Sequence, residues 1–171
     1  ALVFEDARVD HNAYVCGEAL IYGNAQVFGK SLVFGAAQVF GNARVSGNAY
    51  VDGNAYVDGN AHVYGNAHVS EKAHVYGNAW VYGNAEVYGN AQVFGKSLVF
   101  GAARVTGNAR VFGGAVVYGD AVVSGHALVT ERASVFDNAR VSGAARVELL
   151  CLGSWIIKVN CFALIAAHVS I

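Results

Sequence analysis

Residues 47–58 read GNAYVDGNAYVD and show the unit from which most of the chain is built. Written in sixes from Ala1, the sequence gives 25 consecutive hexads that end at Leu150 without an insertion or a deletion. The first position is always Ala or Ser, the third is always Val or Ile, and the fifth is Gly in 19 hexads. A repeat held in register over this length predicts a solenoid, in which each unit packs on its neighbours.

The spacing of two between the Ala and the Val predicts a strand in each hexad. Side chains alternate between faces in an extended segment, so these two small apolar residues point inward together while the second and fourth positions point outward. Gly and Asn adopt turn conformations with positive φ at low cost, so the end of each hexad forms a corner. A helix has a period of 3.6 and does not hold this register.

The motif resembles that of the hexapeptide-repeat proteins, in which an aliphatic residue is followed four positions later by a small one. Val51, followed by Gly53, Asn54 and Ala55, fits this pattern, and the resemblance covers residues 1–150. It implies an all-β fold, a single-stranded left-handed parallel β-helix (a β-solenoid) with three hexads per coil and slightly more than eight coils. The long G-N-A-x-V-x arrays look most like poorly characterised bacterial and phage repeat proteins.

With three hexads per coil, the outward fourth positions fall on three faces. Face 1 carries Phe4, Tyr22, Phe40, Asp58, Tyr76, Phe94, Phe112, Thr130 and Glu148. Face 2 carries Asp10, Phe28, Ser46, Tyr64, Tyr82, Phe100, Tyr118 and Phe136. Face 3 is more polar and carries Cys16, Phe34, Asp52, Ser70, Tyr88, Thr106, Ser124 and Ser142.

Two aromatic faces would leave more apolar surface exposed than monomers usually tolerate, which predicts a homo-oligomer or a filament. The expected interface residues are Tyr22, Phe40, Tyr76, Phe94 and Phe112 on face 1, and Phe28, Tyr64, Tyr82, Phe100, Tyr118 and Phe136 on face 2. The alternative is that the rings form intrachain ladders, which stabilise a parallel sheet without any partner.

Histidines are the candidate catalytic residues, because the resemblance implies a second function: hexapeptide-repeat acyltransferases are trimers that use a His and acetyl-CoA or another acyl-CoA. His62, His68 and His74 occupy the second positions of three successive hexads, so they should point from three different faces. The loop that such enzymes extrude from one coil has no counterpart in the unbroken repeat. We therefore expect surface histidines, and predict neither a cofactor nor a metal site.

The composition gives no electrostatic reason to expect nucleic acid or an anionic membrane as a partner, because the formal charge is −1 and 13% of residues are charged. The three cysteines include no CxxC pair and so indicate neither a zinc site nor a disulfide framework. The chain opens in repeat register without Met, which is compatible with a leader or a further N-terminal domain upstream. No segment indicates a compartment.

Residues 151–171 break the pattern and are expected to form an irregular hydrophobic cap, with short strands at 155–159 and 162–165. Such a cap would cover the edge of the last coil, whereas the first coil has no comparable cover. A membrane helix over 149–171 is disfavoured, because Lys158 near its centre would cost about 2.5–3.5 kcal/mol. We thus expect a structural or assembly module, used in a fibre, spike or scaffold.

A duplicated block argues against a unique active site. Residues 22–37 recur letter for letter as residues 88–103, a displacement of 11 hexads. Because 11 is not a multiple of three, the copy should lie on different faces from the original.

Overall fold

The computed structural model describes residues 1–10, 12–148 and 158–159. Each hexad contains one short strand, and the described fifth and sixth positions form the corners. Successive strands turn onto three different faces, and every third strand returns to the same face. The result is three sheets, one per predicted face, in which the strands of the hexads are parallel and enclose a core.

The strands are two or three residues long and carry the labels that follow. The sheet on face 1 contains Leu2–Val3 (β1), Leu20–Ile21 (β4), Gln38–Val39 (β7), Tyr56–Val57 (β10), His74–Val75 (β13), Gln92–Val93 (β16), Arg110–Val111 (β19), Leu128–Thr130 (β22), Arg146–Glu148 (β25) and Lys158–Val159 (β26). The sheet on face 2 contains Arg8–Val9 (β2), Gln26–Val27 (β5), Arg44–Val45 (β8), His62–Val63 (β11), Trp80–Val81 (β14), Leu98–Val99 (β17), Val116–Val117 (β20) and Ser134–Val135 (β23). The sheet on face 3 contains Tyr14–Val15 (β3), Leu32–Val33 (β6), Tyr50–Val51 (β9), His68–Val69 (β12), Glu86–Val87 (β15), Arg104–Val105 (β18), Val122–Val123 (β21) and Arg140–Val141 (β24).

The register confirms the predicted coil length of three hexads. Leu2 pairs with Leu20, and the same offset of three hexads recurs at every parallel strand pair, as in Leu98 with Val116. Coils stacked at the usual strand spacing of about 4.8 Å make a rod roughly 40 Å long. The predicted β-solenoid is therefore confirmed, while left-handed winding stays a prediction.

The core consists of the first and third positions of the hexads. From Ala19 to Val129 these Ala, Val and Ile side chains are fully buried, each with 0% of its surface exposed. Two of the Ala positions hold Ser31 and Ser97, and their hydroxyls donate hydrogen bonds to the carbonyls of Phe28 and Phe94 at 2.9 Å. Each buried Val contributes roughly 1.5–3 kcal/mol, so stability accumulates coil by coil.

The corners depend on glycine for two separate reasons. Gly83 has φ +74°, and a Cβ built on it would lie 3.0 Å from backbone atoms of Gly101 in the next coil. A side chain there would therefore meet both an unfavourable conformation and a steric clash. At other corners Glu5, Glu71, Glu131 and Asp137 adopt φ between 54° and 60°, and the Glu5 carboxylate accepts a hydrogen bond from the Gly23 N–H at 2.7 Å.

The two ends of the described rod differ. At the first coil the outward residue Leu2 is 63% exposed, and the third-position residue Val3 is 46% exposed because no described coil covers it. At the other end β26 pairs antiparallel with β25, through Val147 with Val159 and Glu148 with Lys158. The rest of the expected cap, including residues 162–165 and the boundary at residue 150, lies outside the described residues. No described residue belongs to a helix that could cross a membrane.

Candidate functional site

Aromatic side chains at the fourth positions stack along faces 1 and 2. On face 2 one continuous ladder has ring centroids 4.8–5.3 Å apart and planes within 14° of each other, and it consists of Tyr64, Tyr82, Phe100, Tyr118 and Phe136. On face 1 Asp58 separates two shorter ladders, one of Phe4, Tyr22 and Phe40 and one of Tyr76, Phe94 and Phe112. The intrachain ladders that were the alternative to an interface between subunits are therefore present, and the interface stays a prediction.

This stacking decides which part of each ring is accessible. The ring faces cover one another, so the half-buried side chains present mainly their edges to the outside. Burial raises the pKa of the phenols of Tyr22, Tyr64 and Tyr76 above its ordinary value. Such ladders are suited to packing against another side-chain row, whereas stacking on a flat sugar or base would need open ring faces.

Phe28 is the expected interface residue that lies outside these ladders. Its neighbours on face 2 at the fourth position are Asp10 and Ser46, neither of which is aromatic. The Arg44 guanidinium carbon lies 5.5 Å from the Phe28 ring centroid, which is a cation–π distance. A shallow depression near the first coils is lined by Phe28 and Arg44 together with Arg8, Asp10 and Gln26.

The second positions form another row of side chains on face 2, and this row makes the face apolar across its width. These side chains were not among the predicted interface residues. The second positions bring Trp80 beside Leu98, and Leu98 beside Val116, in one register. We define the face 2 patch as the outward residues of five successive coils: His62, Tyr64, Trp80, Tyr82, Leu98, Phe100, Val116, Tyr118, Ser134 and Phe136.

The face 2 patch contains no Asp, Glu, Lys or Arg. Over the same coils face 1 carries Asp58 and Arg110, and face 3 carries Glu86 and Arg104. Within the patch Trp80 is 42% exposed and contacts Tyr64 edge to face, with ring centroids 6.1 Å apart. Reading the second position once per coil would have found this row from the sequence.

The three candidate catalytic histidines lie on three different sheets, as predicted. His62 is on face 2, His68 on face 3 and His74 on face 1, so the fold does not bring them together. His62 stacks on Trp80 with centroids 5.1 Å apart, and burial together with the Arg44 charge lowers its pKa. Among the described residues no group of three His, Cys, Asp or Glu side chains could hold a metal ion.

Two histidines instead pair with a carboxylate from the preceding coil. His74 Nε2 lies 2.9 Å from Asp58 Oδ2, within hydrogen-bond distance. His68 Nε2 lies 3.3 Å from Asp52 Oδ2, but the buried nitrogen does not have hydrogen-bond geometry there. These pairs were not predicted, and each joins a fourth position to the second position three hexads later. The hydrogen bond to Asp58 fixes the orientation of the His74 imidazole.

Comparison with known proteins supports the assignment of the hexads to a β-solenoid repeat. A family model for the YdcK β-solenoid repeat matches residues 37–53 and 103–119. The two matches begin 11 hexads apart, the same displacement that separates the duplicated blocks. No curated protein matches the chain. From the family match and its parallel stacked coils, the chain is a repeat β-helix protein of the β-solenoid type.

Proposed function

We propose that the protein is a rigid structural module that assembles with other molecules through its outer faces, as part of a fibre, spike or scaffold. The observation that carries this proposal is the face 2 patch, a charge-free aromatic and aliphatic surface over five coils of a stiff rod. Extended apolar patches on soluble proteins usually mark interaction sites.

Stiffness is what such a module supplies. Each coil is bonded to the next through its strands and also through its corners, where the Asn66 N–H donates to the Gly83 carbonyl at 2.7 Å. Side-chain amides form a further ladder at the same corner, with Asn48 donating to Asn66 at 3.1 Å and Asn66 to Asn84 at 3.0 Å. Contacts between neighbouring coils only, repeated along an axis, are typical of quasi-one-dimensional scaffolds.

The exposed first coil is a second proposed contact surface. Leu2, Val3 and Phe4 are 63%, 46% and 42% exposed, and a further coil stacked on them would bury Val3 and cover part of Leu2 and Phe4. Such a coil can come from this chain or from a second copy. We also propose that the repeat belongs to the hexapeptide-repeat superfamily of bacterial and phage proteins and winds left-handed, on the strength of its unbroken motif.

Sedimentation over a concentration series, with negative-stain imaging of the same samples, tests the proposed function. We expect species heavier than the monomer, either closed oligomers or filaments. A monomer at every concentration up to about 1 mM would contradict the proposal. An association that stays undetected at this concentration has a binding free energy weaker than about −4 kcal/mol.

The acyltransferase alternative is addressed by a separate titration. The divergence of His62, His68 and His74 onto three sheets supports the structural role over that activity. Acetyl-CoA added to the purified protein is expected to give no saturable heat or spectral change. Saturable binding at micromolar concentration would favour the enzyme instead.

A further inference from the structure

We propose that the face 2 patch binds a second copy of this chain, with the two rods parallel and a two-fold axis running along the midline of face 2. This inference rests on the proposed function and names the face, the partner and the orientation. In this arrangement each second-position side chain faces the fourth-position side chain of the same strand in the second copy.

The absence of charge on the face 2 patch defines the chemistry of its partner. No residue of the patch is Asp, Glu, Lys or Arg, so burying it leaves no formal charge unpaired. A strongly charged surface would lose its hydration against this patch without gaining an ion pair. The partner is therefore itself apolar over a comparable area, a condition that the same patch on a second copy meets.

The spacing of the side chains favours a second copy of this chain as the partner, in preference to an unrelated globular protein. Outward residues recur along face 2 once per coil, at about 4.8 Å, over all eight coils. Two rows mesh along their length when their periods are equal, and a second copy has that period by construction. Parallel alignment also keeps every coil level with its counterpart.

The sizes of the two rows favour the parallel orientation. From the sixth to the eighth coil the fourth-position row is tall, since Phe100 and Tyr118 belong to the aromatic ladder, whereas Leu98 and Val116 in the other row are smaller. At the fifth coil both rows are tall, because Trp80 comes opposite Tyr82. A two-fold axis along the rod places tall against short on both sides, with Leu98 facing Phe100 and Val116 facing Tyr118. An antiparallel pair would place the ladder against itself and leave a gap between the aliphatic side chains.

Charged residues near the ends of face 2 fit the same orientation. In the parallel pair Arg8 comes opposite Asp10 of the second copy at the first coil. At the eighth coil the corner residue Arg132 lies on the side of face 2 that meets Asp137 of the second copy. Opposite charges thus meet at the rim, which adds to specificity more than to affinity.

The area limits the strength of the pair. Eight coils of about 4.8 Å and four residues of about 3.3 Å give the whole of face 2 an area of about 500 Å² per copy, or about 1,000 Å² in total. The five coils of the face 2 patch supply about 600 Å² of that total. Specific interfaces begin at about this size, and those below about 1,200 Å² tend to be weak. We therefore expect a reversible dimer that dissociates on dilution.

The duplicated block supplies a matched pair of variants for the test. Leu98 on face 2 and Leu32 on face 3 lie in the same local sequence, KSLVFGAA, at residues 96–103 and 30–37. Both are half-buried second positions, and Glu86 shows that the fold accepts Glu at such a position. Leu98→Glu places an unpaired charge against Phe100 of the second copy, whereas Leu32→Glu leaves face 2 unchanged.

Sedimentation equilibrium of the full chain from about 5 µM to about 1 mM is the first measurement. We expect the parent and Leu32→Glu to move from monomer to dimer with equal dissociation constants, and Leu98→Glu to dimerise at least tenfold more weakly. Circular dichroism and thermal unfolding of the two variants establish that both are folded.

Cross-linking tests the orientation and does not depend on Leu98→Glu. In a background with Cys16→Ser, Cys151→Ser and Cys161→Ser, Arg44→Cys and Ser46→Cys are made in separate chains. The parallel pair places residue 44 of one copy opposite residue 46 of the other, so a short bismaleimide should link a mixture of the two chains much more than either chain alone.

Each result has one meaning. If Leu98→Glu dimerises as Leu32→Glu does, the assignment to face 2 is wrong while the proposed assembly function stands. If the mixture of chains cross-links no more than the single chains, the parallel orientation is wrong. If the parent stays monomeric throughout, the inference and the proposed function both fail.

Discussion

The glycine at the fifth position of the hexad is the residue on which stacking of the coils depends. Gly83 combines φ +74° with an approach of 3.0 Å between a built Cβ and the backbone of Gly101. Gly143 has nearly the same φ, +68°, yet no described atom lies within 4 Å of its built Cβ. Among the described residues the two glycines therefore share the conformational cost of a side chain and differ in its steric cost.

We predict that Gly83→Ala lowers the free energy of unfolding more than Gly143→Ala does. Gly143→Ala should cost about 1–2 kcal/mol from the left-handed backbone alone. Gly83→Ala should lower the free energy of unfolding by at least about 1 kcal/mol more than that, because overpacking a tight site has a cost of this size. Urea unfolding of the two variants beside the parent measures the difference, and equal losses would show that the close approach between coils is not restrictive.

His62 gives a pH dependence whose sign follows from its surroundings. Burial and the Arg44 charge lower its pKa in the folded protein below the ordinary value of 6.5. The unfolded chain therefore takes up the proton at a higher pH than the folded chain. The stability that the neutral imidazole contributes is present above pH 6.5 and is lost as the pH falls through the folded pKa.

We predict that His62→Gln weakens this pH dependence. The free energy of unfolding of the parent should fall more steeply between about pH 7 and pH 5 than that of the variant, as measured by urea unfolding at several pH values. Arg44→Gln should raise the pKa of His62, which NMR titration of the imidazole reports. A parent imidazole that titrates at or above pH 6.5 would contradict the expected sign.

At the scale of the element, the aromatic ladder forms between coils and is independent of local sequence. Phe100 stacks on Tyr82 and Tyr118 at 4.9 and 5.1 Å between ring centroids. Phe34 lies in the same local sequence, KSLVFGAA, but its neighbours one coil away are Cys16 and Asp52, and it makes no ring contact among the described residues. The two phenylalanines thus differ in their neighbours along the rod axis.

We predict that Phe100→Ala destabilises the protein by about 1–3 kcal/mol more than Phe34→Ala, since two stacked pairs contribute about 0.5–1.5 kcal/mol each. Thermal or urea unfolding of both variants at low protein concentration, where the monomer dominates, measures this difference. Equal effects would mean that ring stacking adds nothing to the burial that both side chains share.

Features of the site that involve residues close together in the sequence could be predicted, whereas contacts between residues of neighbouring coils were missed. The strand, the corner and the inward direction of Ala and Val follow from six consecutive residues and were predicted correctly. The pair of Asp58 with His74 and the row of Trp80 with Leu98 join residues on neighbouring coils. These arrangements require the coil length first, and in the prediction of interface residues that length was applied to the fourth position alone.

At the scale of the whole molecule, the rod is a sum of nearly equivalent coils. Every parallel strand pair keeps the offset of three hexads, from β1 with β4 to β22 with β25. Stability in such an array is the sum of the coils and of the interfaces between neighbours. Chain length can therefore change in units of one coil without altering which residues share a face.

We predict that deleting residues 79–96, which form one complete coil, leaves a folded rod about 4.8 Å shorter. Its thermal unfolding transition should resemble that of the parent protein. Deleting residues 79–93 should destabilise the rod much more, because the remaining valines lose the inward register by half a hexad. Circular dichroism and thermal melts of the two deletions test this. A stable fold for the second deletion, with unchanged cooperativity, would show that register matters less than the hydrogen-bonded corners.

The displacement of 11 hexads between the duplicated blocks has a consequence for how such chains diversify. Tyr22 lies on face 1 and its copy Tyr88 on face 3, where the flanking residues Ser70 and Thr106 offer no ring. In-frame recombination between similar codon stretches preserves the fold whenever it adds whole hexads. If the number of added hexads is not a multiple of three, all residues downstream of the insertion move to a different face of the rod. A single genetic event can therefore redistribute an existing binding surface relative to the rest of the rod, with no change in any individual amino acid.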